Sequence, residues 1–80
     1  MRPIHYIAEE IIATWRKLGK GLHPTATPYL SAMRQFAAAS DSFGHDSGDM
    51  IVRYALANMK SFRGADARRL KAELKQHIGA

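Results

Sequence analysis

The sequence contains no cysteine, so neither a disulfide framework nor a thiolate metal site can support its fold. It also lacks any run approaching the roughly 18 consecutive apolar residues that a membrane-spanning helix needs. Its first residues reach Glu9 and Glu10 before an apolar run could serve as a secretory signal. These absences predict a small cytoplasmic domain without a membrane partner, which is stabilised by helix packing, either alone or with the help of a partner or a second copy.

The composition is otherwise that of an ordinary globular protein. The 80 residues are 46% hydrophobic and 24% charged, which indicates one small folded domain rather than a disordered chain. The formal net charge is +5, and the excess lies towards the end of the chain, where six basic residues from Lys60 onward face two acidic ones. Such an excess favours polyanionic partners, although many proteins with a similar charge never bind one.

Hydrophobic periodicity predicts an all-α fold, a bundle of about four helices in a single domain over residues 1–80. The clearest signal lies in residues 3–18, where isoleucines and Trp15 recur at helical spacing before Gly19-Lys20-Gly21 ends the helix. Thr27 followed by Pro28 is typical of a helix start and predicts a second helix at 28–39. The other two helices are predicted at 48–62, with Asp46 or Ser47 as the N-cap, and at 66–78.

The predicted third helix is expected to be central in the bundle. Its apolar residues, which include Met50 and Tyr54, cover most of the helical wheel and leave only a narrow outward strip of Arg53, Ala57 and Lys60. A helix that is apolar on nearly all sides is packed by neighbours on two or three faces. In the polar loop that precedes it, Phe43 is the one large apolar residue, and it is predicted to anchor the loop in the core.

No set of residues with the spacing of a catalytic or metal site can be assembled. His45-Asp46-Ser47 contains the residue types of a hydrolase triad, but neighbours in one loop cannot place the base between nucleophile and carboxylate. The four histidines are scattered without ligand spacing, and no phosphate-binding glycine loop occurs. The sequence therefore predicts a non-enzymatic protein without metal or cofactor. A deep pocket that gathers His23, His45 and Asn58 would argue against this prediction.

Nucleic acid is one partner class that the sequence favours. The third helix, a short turn at Gly64 and a basic last helix have the order of a helix-turn-helix. In this interpretation Arg68, Lys71 and Lys75 would contact phosphates, and Arg69 would lie near a base edge. Against it, Asp66 near the helix start would repel phosphate, and a basic stripe on a last helix is also typical of a solvated face.

The leading hypothesis is a binding or accessory protein whose partner is another protein or a second copy of this chain. Tyrosine and arginine are enriched at interfaces, although single surface tyrosines often have no function. Asn58 lies within the apolar arc of the third helix, where its amide either binds carbonyls of the 19–27 or 40–48 segments or contacts a partner. The predicted partner-binding residues are Tyr6, Tyr29, Arg53, Asn58 and Lys60.

A series of short motifs resembles one family of bacterial proteins. The series consists of Pro28-Tyr29-Leu30 with Ala32-Met33, Phe43-Gly44-His45-Asp46-Ser47-Gly48, Ile51-Val52-Arg53-Tyr54, Leu56-Ala57-Asn58, Phe62-Arg63-Gly64, Ala67-Arg68 and Lys71-Ala72-Glu73-Leu74. In this order the motifs resemble short helical proteins that are often carried on prophages and other mobile elements. Because that family has no assigned activity, the resemblance implies a small helical protein with a macromolecular partner and transfers no functional residues.

Overall fold

A computed structural model describes residues 1–19 and 21–79, and it confirms a small all-α bundle. The only β-structure in these residues is a short antiparallel hairpin between the second and third helices. The elements are α1 (Ile4–Lys17), α2 (Thr27–Met33), β1 (Ser42–Phe43), β2 (Asp46–Ser47), α3 (Gly48–Ala57) and α4 (Ala65–His77). No helix in the described ranges has the length and apolar character needed to cross a membrane.

Helix α1 follows the predicted pattern closely. Its buried side chains repeat along one face from Ile4 to Trp15, and this face packs against α2 and α4. The helix ends at Lys17, and Gly19 then adopts a positive φ of 79°. Leu18, which the periodicity placed in the apolar stripe, is 49% exposed because the chain leaves the helix before it. Lys20, the middle residue of the predicted stop, lies outside the described residues.

Helix α2 is shorter than the predicted range 28–39. It begins at Thr27, with Ala26 rather than Thr27 at the N-cap, and it ends at Met33. After it, the Asp41 carboxylate accepts hydrogen bonds from the backbone N–H groups of Ala37 and Ala38, at 2.9 and 3.0 Å. These bonds stabilise a turn in a segment whose alanines favour helix, because a short acidic side chain offers the backbone an alternative partner.

The 40–48 segment forms the hairpin, and the prediction for Phe43 was wrong. Phe43 pairs with Asp46 across the two strands, and its side chain is 45% exposed rather than inserted into the core. The Gly48 N–H closes the segment by donating to the Asp41 carbonyl at 2.7 Å, and the flanking Asp49 N–H donates to the Ala39 carbonyl at 3.0 Å. A Cβ at Gly48 would lie 2.8 Å from the Ala38 carbonyl oxygen, so glycine permits this close approach of the backbones.

Helix α3 begins as predicted but ends about one turn early. Ser47 is the N-cap, and its hydroxyl accepts from the backbone N–H of Met50 at 3.2 Å. The helix packs against α2, α4 and the hairpin. It ends at Ala57 rather than at 62, and Asn58 is the C-cap. Met50 and Tyr54, predicted to be part of its apolar arc, are 44% and 43% exposed.

The turn after α3 and helix α4 complete the core. Phe62 is fully buried in that turn, and its ring stacks on Trp15 with the ring centroids 5.0 Å apart. Gly64, with a φ of 116°, precedes α4, which matches the predicted range to within one residue. The buried face of α4, formed by Ala67, Leu70 and Leu74, packs against α1.

Candidate functional site

Glu10 of α1 and Glu73 of α4 are both bound to the same two arginines, Arg2 and Arg69. Arg2 donates two hydrogen bonds to Glu73, at 2.8 and 2.7 Å, and pairs with Glu10 at 2.8 Å. Arg69 contacts Glu10 at 2.5 Å and Glu73 at 3.4 Å. The arginine hydrogen bonds hold the pKa values of both glutamates below their usual range, with Arg69 the larger influence on Glu10 and Arg2 on Glu73. We refer to these four residues as the ion network.

Most of the other carboxylates also form ion pairs or hydrogen bonds within the protein. Glu9 pairs with Arg34, and Asp49 accepts a 2.6 Å hydrogen bond from Arg53. Asp66 lies 3.5 Å from Arg69. The two backbone N–H groups that donate to Asp41 lower the pKa of its carboxyl. The acidic groups are therefore used within the protein, almost entirely by arginines.

Seven cationic side chains have no carboxylate within 4 Å among the described residues. We call them the basic surface, and they lie in the last turn of α1, in the turn after α3 and along one edge of α4. They are Arg16, Lys17, Lys60, Arg63, Arg68, Lys71 and Lys75. Because α1 and α4 are antiparallel, as the Arg2–Glu73 and Glu10–Arg69 pairs show, the end of α1 and the start of α4 lie at the same end of the bundle.

Lys71 links the turn after α3 to α4. Its Nζ donates to the Phe62 carbonyl at 2.7 Å and lies 5.8 Å from the centroid of the Phe62 ring. Partial burial lowers the pKa of Lys71, and the positive charges of Lys75 and Arg63 lower it further. The pKa effect shows that these three cations are close enough to repel one another.

The predicted nucleic-acid residues divide into two groups. Arg68 and Lys75 are exposed on the same edge of α4 as Lys71, in the predicted stripe. Arg69 lies on the opposite edge, where the ion network occupies its guanidinium. The connection between α3 and α4 extends from residue 58 to residue 64, so it is longer than the three- to four-residue turn of a helix-turn-helix.

Three shallow clefts, each of about 230 Å³, meet at Ser61. One cleft contains His23, Asn58 and Lys60, and a second contains Trp15 and Arg63. His23 Nδ1 accepts a 3.3 Å hydrogen bond from the Thr25 N–H, so in the neutral ring Nε2 carries the proton. The clefts are open depressions rather than a deep pocket. They bring His23 and Asn58 together, whereas His45 lies in the hairpin turn.

The outward face of α3 combines apolar and cationic side chains. Met50, Arg53, Tyr54 and Ala57 are all exposed, and their spacing places them in one stripe, which we call the α3 face. The Tyr54 ring packs against Tyr29 of α2, with the ring centroids 5.6 Å apart. Arg53 is fixed at two points, since its Nε donates to Asp49 and its Nη2 donates to the Ile78 carbonyl at 3.2 Å.

Four of the five predicted partner-binding residues lie on or next to the α3 face. Arg53 belongs to it, Tyr29 packs on Tyr54, and Asn58 and Lys60 line the cleft that begins at Ala57. The Asn58 amide does not reach the predicted loop carbonyls, because its Nδ2 donates to Tyr54 O of its own helix at 2.8 Å. The fifth residue, Tyr6, is on α1, where its ring packs on His5.

Sequence reasoning missed Met50 and Tyr54 as surface residues. Both were assigned to the core because they are apolar and follow the helical period of α3. Their spacing of four residues, with Arg53 between them, was the available signal for an exposed face.

Comparison with known proteins adds no relative. No protein-family model, curated protein or solved structure matches the chain. Among the described residues, no three side chains of the metal-ligating types come together. The arrangement offers exposed surfaces for binding.

Proposed function

We propose that this protein is a non-enzymatic binding protein that acts through contact between the α3 face and a partner protein. The observation that supports this function is the contact between Tyr29 and Tyr54, which joins α2 to an exposed stripe containing Met50 and Arg53. Tyrosine, methionine and arginine are the side chains that interfaces contain in excess over the rest of a protein surface.

The side chains of the α3 face are already held in place before a partner binds, and this favours an interface. Two hydrogen bonds fix Arg53, and the Tyr29 ring limits the positions open to Tyr54. Immobilising a flexible side chain at an interface costs roughly 0.5–1.5 kcal/mol. A face whose side chains are already held in place avoids part of that cost.

The resemblance to small helical proteins of prophages and mobile elements gives this proposal its biological setting. Accessory, regulatory and counter-defence proteins are common in that setting. We propose the same accessory role here, in the cytoplasm, with a protein of the host or of the element itself as the partner.

The test is cross-linking of the tagged protein in its native host, followed by mass spectrometry of the captured proteins. The variant is Met50→Ala with Tyr54→Ala, which shortens both apolar side chains of the α3 face without adding charge. The matched control is Tyr6→Ala, which removes an exposed tyrosine from α1. Circular dichroism verifies that all variants keep the helical content of the wild type.

We expect one set of proteins to be captured by the wild type and by Tyr6→Ala and to be lost from the double variant. Equal capture by the double variant would contradict the proposal. Size-exclusion chromatography with light scattering tests the remaining partner, a second copy of the chain. A wild-type dimer that the double variant converts to a monomer would identify that partner. A wild-type monomer that captures no protein would refute the function.

A further inference from the structure

The basic surface is positively charged because the acidic residues pair with arginines elsewhere on the protein, and not only because acidic residues are few. Six of the seven carboxylates contact arginines or backbone N–H groups, and the arginines they use are Arg2, Arg34, Arg53 and Arg69. None of these arginines belongs to the basic surface. Neighbouring cations without counter-charges repel one another, and this repulsion is relieved when a negatively charged partner binds.

We propose that the basic surface binds the phosphate backbone of nucleic acid, with Arg68 and Lys75 on one edge of α4 and Arg63 beside the Ser61 clefts as phosphate contacts. This activity is separate from the proposed protein contact, since these three residues lie outside the α3 face. The two surfaces adjoin at the cleft that Ala57 and Lys60 line. It also differs from recognition by a single basic helix, because the contacts come from the turn after α3 as well as from α4.

The arrangement of the cations fits a polymer of phosphates better than a single anion. Arg68 and Lys75 are seven residues apart on one edge of α4, which separates their backbone positions by about 10 Å. Arg63 extends the row beyond the start of α4, and Lys60 continues it into the cleft that contains Asn58. A pocket for one small anion would converge its donors on a point, whereas these donors form an extended row.

The clefts add neutral donors to the cations. Ser61 lies where all three meet, and the His23 side chain lines two of them. Hydroxyl groups beside arginine and lysine are common phosphate ligands in protein–nucleic acid complexes. Lys71 stabilises this surface, because its hydrogen bond to the Phe62 carbonyl fixes the turn that contains Arg63.

Binding through this surface is expected to be independent of base sequence. Arg69, the side chain that the sequence analysis placed near a base edge, is held in the ion network on the other edge of α4. Contacts to phosphate position a protein on nucleic acid without reading its bases. Strong dependence on salt is the signature of such contacts.

Fluorescence anisotropy with a labelled DNA duplex and a labelled single strand of the same sequence tests the proposal. Each is titrated with the full-length protein at several salt concentrations, and a scrambled sequence is included. The variant is Arg68→Gln with Lys75→Gln. The matched control is Arg2→Gln with Arg34→Gln, which lowers the net charge by the same amount but removes arginines that are already paired.

We expect at least one of the two probes to bind, with the same affinity for the original and the scrambled sequence. A plot of the logarithm of the binding constant against the logarithm of the salt concentration should have a slope of about −3. The Arg68→Gln/Lys75→Gln variant is expected to reduce the magnitude of the slope by about two, because each lost phosphate contact removes about one unit. The paired-arginine control should retain the wild-type slope. Whichever probe binds more tightly identifies duplex or single strand as the natural form.

Three results would overturn the proposal. The first is no binding of either probe at low salt. The second is the same loss of affinity in both double variants, which would indicate a net-charge effect rather than a surface. The third is competition by poly-glutamate as strong as competition by unlabelled DNA, which would assign the surface to an acidic protein.

Discussion

Arg69 donates a hydrogen bond of 2.5 Å to Glu10, a residue 59 positions earlier in the chain. This contact holds α4 against α1 within the ion network. It also makes the two edges of α4 differ in charge. The edge that carries Asp66 and Glu73 is neutralised by contacts within the protein, whereas the edge that carries Arg68 and Lys75 is left for a partner.

The ion network is expected to make stability depend on acid pH. The pKa values of Glu10 and Glu73 lie below their ordinary value near 4.5 because both carboxylates accept arginine hydrogen bonds. The native state therefore binds fewer protons than the unfolded chain around pH 4. Its stabilisation is fully present above about pH 4.5 and is lost as the pH falls through the lowered pKa values.

Glu10→Gln is expected to lower the melting temperature by a few degrees at pH 7, because partly exposed ion pairs contribute roughly 1 kcal/mol or less. Below the lowered pKa the wild-type carboxyl is protonated as well, so the difference should disappear. Thermal unfolding followed by circular dichroism, at pH 7 and at a series of lower pH values into the acid-unfolding range, measures how this difference in melting temperature changes with pH. The more exposed Glu9 serves as the control, and Glu9→Gln should have a smaller effect. A difference between wild type and Glu10→Gln that stays constant with pH would contradict the role of the network.

Phe62 and Phe43 provide a matched pair for testing the core. Phe62→Leu is expected to reduce the free energy of unfolding by about 1 kcal/mol or somewhat more, because leucine fills less of the space beside Trp15. Phe43→Leu should change it by less than about 0.5 kcal/mol, since Phe43 is on the exposed hairpin. Urea unfolding followed by the fluorescence of Trp15, the one tryptophan, measures both. A larger loss for Phe43→Leu would restore the anchoring role that the sequence predicted.

Gly48→Ala is expected to destabilise the protein by about 2–3 kcal/mol, because the added methyl would meet two backbone carbonyl oxygens and the Phe36 ring at 2.8–3.1 Å. Gly44→Ala is the comparison, since its Cβ meets nothing but its φ is 65°. That change should cost only about 1–2 kcal/mol of backbone strain. Urea unfolding of the two variants separates steric from conformational cost. Equal stability of Gly48→Ala and wild type would show that the hairpin is not held at this point.

Ser47→Ala is expected to cost about 1 kcal/mol, because it removes the hydroxyl that accepts from the Met50 N–H at the start of α3. Ser42→Ala is the control within the hairpin, since Ser42 pairs with Ser47 across the strands but caps no helix. Thermal unfolding of both variants should show the larger loss for Ser47→Ala. The reverse order would assign the stabilisation to the hairpin instead of the cap.

The sequence predicted the helices with clear stripes and clear ends, and it failed where a polar side chain redirected the backbone. Helices α1 and α4 were located to within one or two residues because their apolar faces are regular and a proline or a glycine lies close to each of their ends. Helix α2 ended early beside the Asp41 turn, and α3 ended at Asn58, whose amide shares the Tyr54 carbonyl with the backbone. Such local bonds compete with helix formation and are invisible to periodicity.

The candidate surfaces were only partly predictable. The basic stripe of α4 follows from the helical period, so Arg68, Lys71 and Lys75 could be grouped in advance. The pairing of Arg69 with Glu10 could not be predicted from the sequence, because it depends on which helix packs beside α4. The contact between Tyr29 and Tyr54 likewise arises from the packing of α2 on α3.

The contacts of Arg2 place the two ends of the fold side by side. Its guanidinium binds Glu73, and its carbonyl accepts a 2.6 Å hydrogen bond from His77 Nε2. A short flexible linker could therefore connect the last helix to the first, and the chain could be opened at Gly44 in the exposed hairpin turn. Such a circular permutant would preserve the helix contacts while presenting the basic surface and the α3 face on a chain with a different order.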